Sequence, residues 1–266
     1  MAPKCVFCPS EGKRSKEHIW PEWMAEYFER SDGQRHRRDI LTSKWKENLS
    51  TKEIERPGHL STHKVRVVCK SCNNGWMSRL ESKTKPVLVP MLKNQETQLT
   101  QSYQETLALW ITVKTIVGEY SEPDIAVTPE IDRHLVKEQG RIPDYYAIYL
   151  GHHSSGSDSA WLRTSMTLAL TMDGPDPPLD GYTRNTQSIA FLCGPLFLFV
   201  LTMRVNGIKA SDFMRLPKLT QIFPPQYSSV RWPNAESLNK QDMGKIAYAL
   251  DDLKNHPNFR YGGDLC

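Results

Sequence analysis

Apolar positions recur with helical spacing over one long stretch in the middle of the chain. In residues 99–119 the large apolar side chains stand three or four positions apart, the period of one helix face, and Gly118 lies near the end of the pattern. Shorter patterns of the same kind predict helices over residues 22–30, 73–80, 129–137 and 237–253. The long stretch is therefore predicted to be a core helix.

Short runs of apolar and β-branched residues dominate the second half of the chain. They predict strands over residues 145–150, 166–172, 188–192 and 196–204. Gly194 and Pro195 predict a tight turn between the last two strands. Residues 63–68 predict one earlier strand, which runs directly into Cys69. This combination of helices and separate strands predicts an α+β fold.

Breaks in these patterns divide the chain into two predicted domains. Two prolines within residues 83–90 predict a linker, so that residues 1–85 form one domain and residues 86–266 form a larger mixed α+β domain. Residues 31–58 are polar and charged. They predict an inserted loop or partly helical excursion of the first domain.

The composition is that of a globular protein. Of the 266 residues, 39% are hydrophobic and 24% are charged, which excludes fibrous and wholly disordered classes. The longest apolar stretch, residues 189–203, is broken by Gly194 and Pro195 and is shorter than the roughly 20 residues of a membrane span. The first residues lack the apolar segment of an export signal. We therefore expect a cytoplasmic protein with no membrane partner.

Basic charge is concentrated in the first third of the chain. Residues 1–85 hold 18 Lys and Arg against 11 Asp and Glu, a balance of +7. The remaining residues hold 16 against 19, a balance of −3. This asymmetry is more informative than the overall charge of +4, and it indicates that residues 1–85 meet nucleic acid.

Four of the six cysteines form two C-x-x-C pairs, Cys5 with Cys8 and Cys69 with Cys72. In a chain expected in the cytoplasm, such pairs indicate metal binding rather than disulfides. Four thiolates favour a closed tetrahedral shell around a structural zinc ion. Residues 9–68 separate the pairs, which is far more than an ordinary zinc finger has. A whole structural unit is therefore expected between them.

An acid–histidine pair lies between the two cysteine pairs. Glu17 and His18 precede Ile-Trp-Pro21, and Asn73 directly follows the second cysteine pair. Neutral histidine can take a proton from water, and carboxylate and amide oxygens are hard ligands suited to Mg²⁺ or Mn²⁺. In an extended segment Glu17 and His18 point to opposite sides. A catalytic pair therefore requires the strand to end in a turn, which Pro21 favours.

Together these motifs resemble the HNH endonuclease family. Its zinc-containing members have a C-x-x-C pair, an acid–histidine dipeptide followed by Ile-x-Pro, and a second C-x-x-C pair followed at once by His or Asn. The resemblance covers about residues 1–85 and implies a ββα-metal fold, a β-hairpin and a helix around one catalytic divalent ion. It implies that His18 is the general base and that Glu17 and Asn73 are ligands of the catalytic ion. The implied activity is hydrolysis of phosphodiester bonds in nucleic acid, with DNA as the first expectation.

The sequence also departs from the family pattern. Asn73 replaces the family's last His, which the family tolerates, and Asn74 takes that role if the helix begins one residue later. The family's middle Asn, which orients the base, has no match here. Lys64 occupies the position at which the family's middle Asn would be expected, about five residues before the second cysteine pair. We predict that the adjacent His63 takes its role.

Basic residues around these motifs are candidates for binding phosphate. They are Lys16, Arg35, Arg37, Arg38, Arg66, Lys70 and Arg79. Such contacts are largely independent of base sequence and sensitive to salt.

Two other classes of function remain open. The chain could be a zinc-dependent nucleic-acid-binding protein without cleavage activity, or a nuclease subunit that acts only within a larger defence assembly. Residues 86–266 could select the substrate, form a homodimer or bind a partner protein. By analogy with stand-alone HNH proteins of this size, we expect a role in phage restriction or antiviral defence.

Overall fold

The computed structural model describes most of the chain and has a mixed α+β architecture. The described residues are 4–28, 35–42, 50–57, 62–154, 159–170, 184–205, 208–209, 216, 218–233, 236–253 and 259–262. Within them, no helix combines the length and the apolar character that crossing a membrane requires.

The first elements are four strands and a short 3₁₀ helix. They are β1 (Arg14–His18), the 3₁₀ helix (Glu22–Tyr27), β2 (Arg35–Thr42), β3 (Ser50–Pro57) and β4 (Lys64–Cys69). β1 pairs antiparallel with β4, with His18 opposite Lys64 and a register shift between Ser15 and Glu17. β2 and β3 pair with each other. The inserted segment, predicted as a loop or partly helical excursion, therefore contains an antiparallel strand pair.

A continuous helical segment follows β4. It consists of α1 (Lys70–Cys72), a π-helical stretch (Asn73–Met77) and α2 (Ser78–Leu92). Position 85, the predicted domain boundary, lies inside α2, and the prediction of a linker over residues 83–90 is wrong.

Two prolines are tolerated inside α2, Pro86 and Pro90. Each leaves one carbonyl without its helical donor, at Ser82 and at Pro86, and both residues are exposed, so water can replace the donor. The buried face of this part of the helix offsets the loss: Val87, Leu88, Met91 and Leu92.

The second part of the chain contains one long helix and most of the strands. Its elements are β5 (Thr97–Thr100), α3 (Gln101–Glu119), a 3₁₀ turn (Pro123–Ile125), α4 (Glu130–Gln139), β6 (Tyr146–His153), β7 (Ser159–Leu170), β8 (Thr186–Cys193), β9 (Leu196–Met203), β10 (Thr220–Phe223), β11 (Ser229–Trp232), β12 (Ser237–Leu238), α5 (Lys240–Ala247), α6 (Ala249–Asp252) and β13 (Phe259–Gly262). The predicted long helix and the strand-rich second half are confirmed. The predicted final helix is instead a two-residue strand followed by two short helices.

Among the described residues, seven strands form the main sheet. Their order is β10-β6-β9-β8-β7-β13, with β12 parallel beside β6 and all other neighbours antiparallel. Gly194 and Pro195 form the turn between β8 and β9, as predicted. Gly194 has a φ of +56°, a conformation that glycine adopts at little cost.

The central strands β6, β8 and β9 are buried on both faces. Alternate residues of each strand belong to different apolar clusters, because successive side chains of a strand point to opposite faces. The first cluster contains α3 and the N-terminal elements, where the ring of Trp20 packs edge-on against Phe191 at 5.5 Å. The second cluster contains residues of α5 and α6.

Helix α3 lies between the N-terminal elements and the main sheet and is buried along most of its C-terminal half. A Cβ atom added at Gly118 would lie 3.2 Å from the ring of Trp161, so the absence of a side chain allows this close approach. Two charged residues of α3, Lys114 and Glu119, are also buried. Glu119 is satisfied within the core by Thr128, whose backbone N and Oγ1 lie 3.1 and 2.6 Å from its carboxylate oxygens.

Candidate functional site

The two cysteine pairs converge on one buried cluster. The sulfur atoms of Cys5, Cys8, Cys69 and Cys72 all lie within 4.8 Å of one another, and none of these residues forms a disulfide. The Sγ atom of Cys8 lies 3.7 Å from Sγ of both Cys69 and Cys72. A tetrahedral shell with Zn–S bonds of about 2.3 Å has S···S edges of about 3.8 Å. The cluster therefore has the donor set and the spacing to hold a metal ion such as zinc.

Hydrogen-bond donors surround these sulfur atoms. The backbone N of Cys69 donates to Sγ of Cys5 at 3.2 Å, and the backbone N of Cys72 donates to Sγ of Cys69 at 3.4 Å. Burial alone would raise the pKa of the Cys69 thiol, but hydrogen bonds from Ser10, Ser71 and Cys72 lower that pKa to about 5. This sulfur therefore favours the thiolate, the form that binds metal ions, whereas burial raises the pKa of the Cys5 and Cys72 thiols.

The first cysteine pair is joined to both parts of the chain. The backbone N of Val6 donates to the carbonyl of Val67 in β4 at 3.0 Å, and the ring of Phe7 packs edge-on against Trp76 at 5.1 Å. Arg133 of α4 donates through Nε to the carbonyl of Val6 at 2.9 Å. The cluster is thus held between β4, the π-helical stretch and α4.

A cavity of about 350 Å³ lies where β1, the helical segment and α3 meet. Its charged, imidazole and amide side chains are those of Lys16, Glu17, His18, Glu22, Asn73, Asn74, Glu81 and Lys114. Glu17 and His18 are neighbours in β1, yet both line this cavity. The strand ends at His18, and Ile19 and Trp20 form a bend before Pro21, which also lines the cavity.

Glu17 is buried and is held by a lysine from the second part of the chain. The Nζ atom of Lys114 lies 2.6 Å from Oε1 of Glu17 and donates to the carbonyl of His18 at 3.2 Å. The same Nζ lies 3.8 Å from Oε2 of Glu81. In the described part of the chain, Oε2 of Glu17 accepts no hydrogen bond, so this oxygen is available to a cation.

Asn73 is half-buried and is hydrogen-bonded to β1. Its Nδ2 atom donates to Oγ of Ser15 at 3.1 Å and to the carbonyl of Lys16 at 3.4 Å. The amide oxygen is therefore the atom left to bind a cation. Asn74 also lines the cavity, but it is exposed. Carboxylate and amide oxygens such as those of Glu17 and Asn73 are of the chemical type that Mg²⁺ and Mn²⁺ bind, and Mg²⁺ in proteins usually keeps several waters.

His18 is half-buried at the end of β1. Burial and the positive charge of Lys64 lower the pKa of its imidazole, although Glu22 and Glu17 act in the opposite direction. A neutral imidazole has one nitrogen free to accept a proton. His18 can therefore act as a base within the cavity.

His63, predicted to orient the base, does not line the cavity. Its ring packs edge-on against Trp161 of β7, with the ring centroids 6.0 Å apart. Its carbonyl accepts a hydrogen bond from the backbone N of Ile19 at 3.1 Å. The contacts described for His63 thus join the β1–β4 pair to the main sheet.

The predicted phosphate-binding residues lie around the N-terminal elements. Lys16, Arg66, Lys70 and Arg79 are exposed, and Lys16 also lines the cavity. Three others belong to β2, but their side chains lie outside the described residues: Arg35, Arg37 and Arg38.

Lys114 and Glu81 line the cavity, but the sequence motifs did not indicate them. The one local signal was the position of Lys114 inside the apolar pattern of residues 99–119, four positions after Trp110 and next to Val113. A lysine on the buried face of a core helix requires a partner, because an unpaired buried charge is costly. Spacing alone could not have identified that partner.

Comparisons of the chain with protein-family models, with curated proteins and with solved structures find no match. The function is therefore inferred from the geometry and chemistry of the site. Two neighbouring features carry that inference, the four-cysteine cluster and the cavity that contains Glu17, His18 and Asn73.

Proposed function

We propose that the protein is a metal-dependent endonuclease of the HNH type that hydrolyses phosphodiester bonds in nucleic acid, with DNA as the first expected substrate. The observation that carries the proposal is the convergence of Glu17, His18 and Asn73 on one cavity, although Asn73 is far from the other two in sequence. The order of β1, β4 and the following helical segment supports it, because a ββα-metal fold has two strands and a helix in that order.

Two metal sites with different roles are part of this proposal. The four cysteines would hold zinc in a closed shell, which leaves no ligand position for substrate and is typical of a structural site. Oε2 of Glu17 and Oδ1 of Asn73 would hold a catalytic Mg²⁺ or Mn²⁺ ion. When bound there, that ion supplies charge stabilisation for the scissile phosphate and the leaving oxygen.

The chain's own groups would supply the remaining steps. His18 would accept a proton from the water that attacks the phosphate, since this residue lines the cavity together with Glu17. Asn73 is fixed by its hydrogen bonds to Ser15 and Lys16, so its oxygen needs little reorganisation to bind the ion. Lys16 is exposed at the cavity and would bind a neighbouring phosphate.

Cleavage assays with His18→Ala test this function. Wild type and variant, both loaded with zinc, are incubated with plasmid DNA, single-stranded DNA and RNA, with and without added Mg²⁺ or Mn²⁺. We expect metal-dependent cleavage by the wild type and a loss of about 10²- to 10⁴-fold in the variant, the usual contribution of a general base. His134→Ala, in a half-buried histidine of α4, is the control and should cleave like the wild type. Absence of cleavage by the wild type, or equal cleavage by His18→Ala, would contradict the proposal.

A zinc-dependent nucleic-acid-binding protein without catalysis is the second candidate. The observation that favours it is the ion pair of Glu17 with Lys114, which already neutralises one predicted metal ligand. This candidate predicts salt-sensitive binding of nucleic acid, with no cleavage under any metal condition.

A subunit of a defence assembly would instead be inactive alone and would cleave when its partner is added.

A further inference from the structure

We propose, on the basis of the nuclease function inferred above, that Lys114 is a positioning residue that fixes Glu17 for binding the catalytic ion. Lys114 belongs to α3 and lies outside the first 85 residues, which carry every motif of the sequence resemblance. The proposed active site is therefore completed by the second part of the chain.

The charged side chains around Lys114 differ in their exposure. The side chain of Lys114 is 2% exposed, that of Glu17 is 9% exposed and that of Glu81 is 26% exposed. Lys114 is therefore the least exposed of the three, and both carboxylates keep some access to solvent. A cation can therefore reach the carboxylates, whereas Lys114 is almost entirely covered.

The contacts of Lys114 fix it in place. An ammonium has three N–H donors. Its Nζ has three oxygen neighbours, Oε1 of Glu17 at 2.6 Å, the carbonyl of His18 at 3.2 Å and Oε2 of Glu81 at 3.8 Å. Glu81 is itself held, because Nε1 of Trp23 donates to its Oε1 at 2.8 Å. The lysine is thus anchored on several sides and can fix the carboxylate that it contacts.

This anchoring engages only one of the two oxygens of Glu17. Lys114 holds Oε1 and leaves Oε2 without a hydrogen bond from any residue that the structure describes. Asn73 is arranged in the same way. Its Nδ2 donates hydrogen bonds to Ser15 and Lys16 of β1, and its amide oxygen is the atom that can bind a cation. Partners that orient metal ligands in this manner typically change metal affinity by about 10- to 100-fold when removed.

Mn²⁺ binding by the full-length, zinc-loaded protein tests the role of Lys114 independently of activity. Binding is measured by calorimetry and by the EPR signal of free Mn²⁺ for wild type, Lys114→Met, Lys114→Gln and Glu17→Gln, with zinc content and circular dichroism checking the fold. We expect Lys114→Met to bind Mn²⁺ about 10- to 100-fold more weakly than wild type. Lys114→Gln, which keeps an N–H donor for Glu17, should lose less. Lys245→Met removes an exposed lysine of α5 and should bind like wild type.

The outcomes separate the two proposals. The proposed nuclease site is wrong if the wild type does not bind Mn²⁺. It is also wrong if Glu17→Gln binds Mn²⁺ as tightly as the wild type does. If the wild type binds and Lys114→Met binds as tightly, only the role of Lys114 is wrong. Tighter binding by Lys114→Met also overturns it, because Lys114 would then compete with the ion. If Lys114→Met does not fold, Lys114→Gln decides the question. The role of Lys114 is overturned if Lys114→Gln binds Mn²⁺ with the wild-type affinity and also cleaves as fast as the wild type in Mn²⁺.

Discussion

The ammonium of Lys114 and the carboxylate of Glu17 form a buried ion pair at 2.6 Å, although 97 positions separate them in the chain. Glu17 lies in β1, whereas Lys114 lies in α3, which also packs against the main sheet. The cavity is therefore built jointly by the N-terminal elements and by the long helix of the second part.

Breaking this ion pair from one side should destabilise the protein strongly. Glu17→Leu leaves the buried ammonium without its nearest carboxylate, and we expect the free energy of unfolding to fall by about 3–5 kcal/mol. The double variant Glu17→Leu/Lys114→Met replaces both charges by apolar groups and should recover most of this loss. Urea unfolding of both single variants and the double variant measures the coupling. Strictly additive losses would show that the pair contributes no interaction of its own.

Loss of one thiolate should remove the metal ion from the cysteine cluster. We expect about one zinc ion per chain in the purified protein and far less in Cys72→Ser, measured by elemental analysis. Zinc binding also stabilises the fold around it, so β1 and β4 should exchange their amide hydrogens faster in this variant. Cys193→Ala alters a buried cysteine of β8 outside the cluster and should keep its zinc. Full zinc content in Cys72→Ser would contradict the four-cysteine site.

Two helical glycines should respond to substitution with opposite signs. At Gly118 an added Cβ lies 3.2 Å from Trp161, so Gly118→Val should overpack this contact and cost about 1–3 kcal/mol of stability. At Gly244 in α5 an added Cβ meets nothing within 4 Å, so Gly244→Ala should gain about 0.5–1 kcal/mol from its higher helix propensity. Thermal and urea unfolding measure both changes. A stable Gly118→Val variant would show that the helix can move away from the sheet.

Lys16 should contribute a phosphate contact that depends on salt. We expect Lys16→Ala to weaken binding of duplex DNA and to reduce the slope of log K against log salt by about 0.9, the value for one lost phosphate contact. Fluorescence anisotropy at several salt concentrations, with no Mg²⁺ or Mn²⁺ added so that cleavage is prevented, measures this slope. Lys245→Ala, a substitution in α5, changes the net charge by the same amount as Lys16→Ala. It should leave the slope unchanged. Equal slopes for Lys16→Ala and wild type would remove Lys16 from the interface.

Local spacing was sufficient to predict that the two cysteine pairs meet. Of the predicted site residues, Lys16, Glu17, His18 and Asn73 line the cavity. Two C-x-x-C pairs favour binding to one common metal ion, whatever sequence lies between them. Asn73 directly follows the second pair, so predicting the cluster also predicted where Asn73 lies. Lys114 and Glu81 could not be predicted in the same way. Their roles depend on how α2 and α3 pack beside β1, and no short motif encodes that packing.

Errors in the predicted elements have similar causes. The two prolines of α2 are local breakers, but the apolar face that the helix buries outweighs them. Asn239 caps α5 by accepting a hydrogen bond from the backbone N of Asp242 at 2.8 Å, so the helix begins after it and not at residue 237. Leu238 pairs with His153 at the edge of the main sheet instead. Tertiary packing decided the first case, and a cap residue inside the predicted helix decided the second.

The ends of the excursion between β1 and β4 are held together by strand pairing and by the cysteine cluster. His18 pairs with Lys64 in the strand register, and the cysteine cluster brings Cys8 to Cys69. With its ends held in this way, the entropy cost of closing the excursion grows only with the logarithm of its length, about 0.6 kcal/mol for each doubling. Length changes between residues 28 and 62 that spare β2 and β3 should therefore leave the β1–β4 register and the cysteine cluster in place.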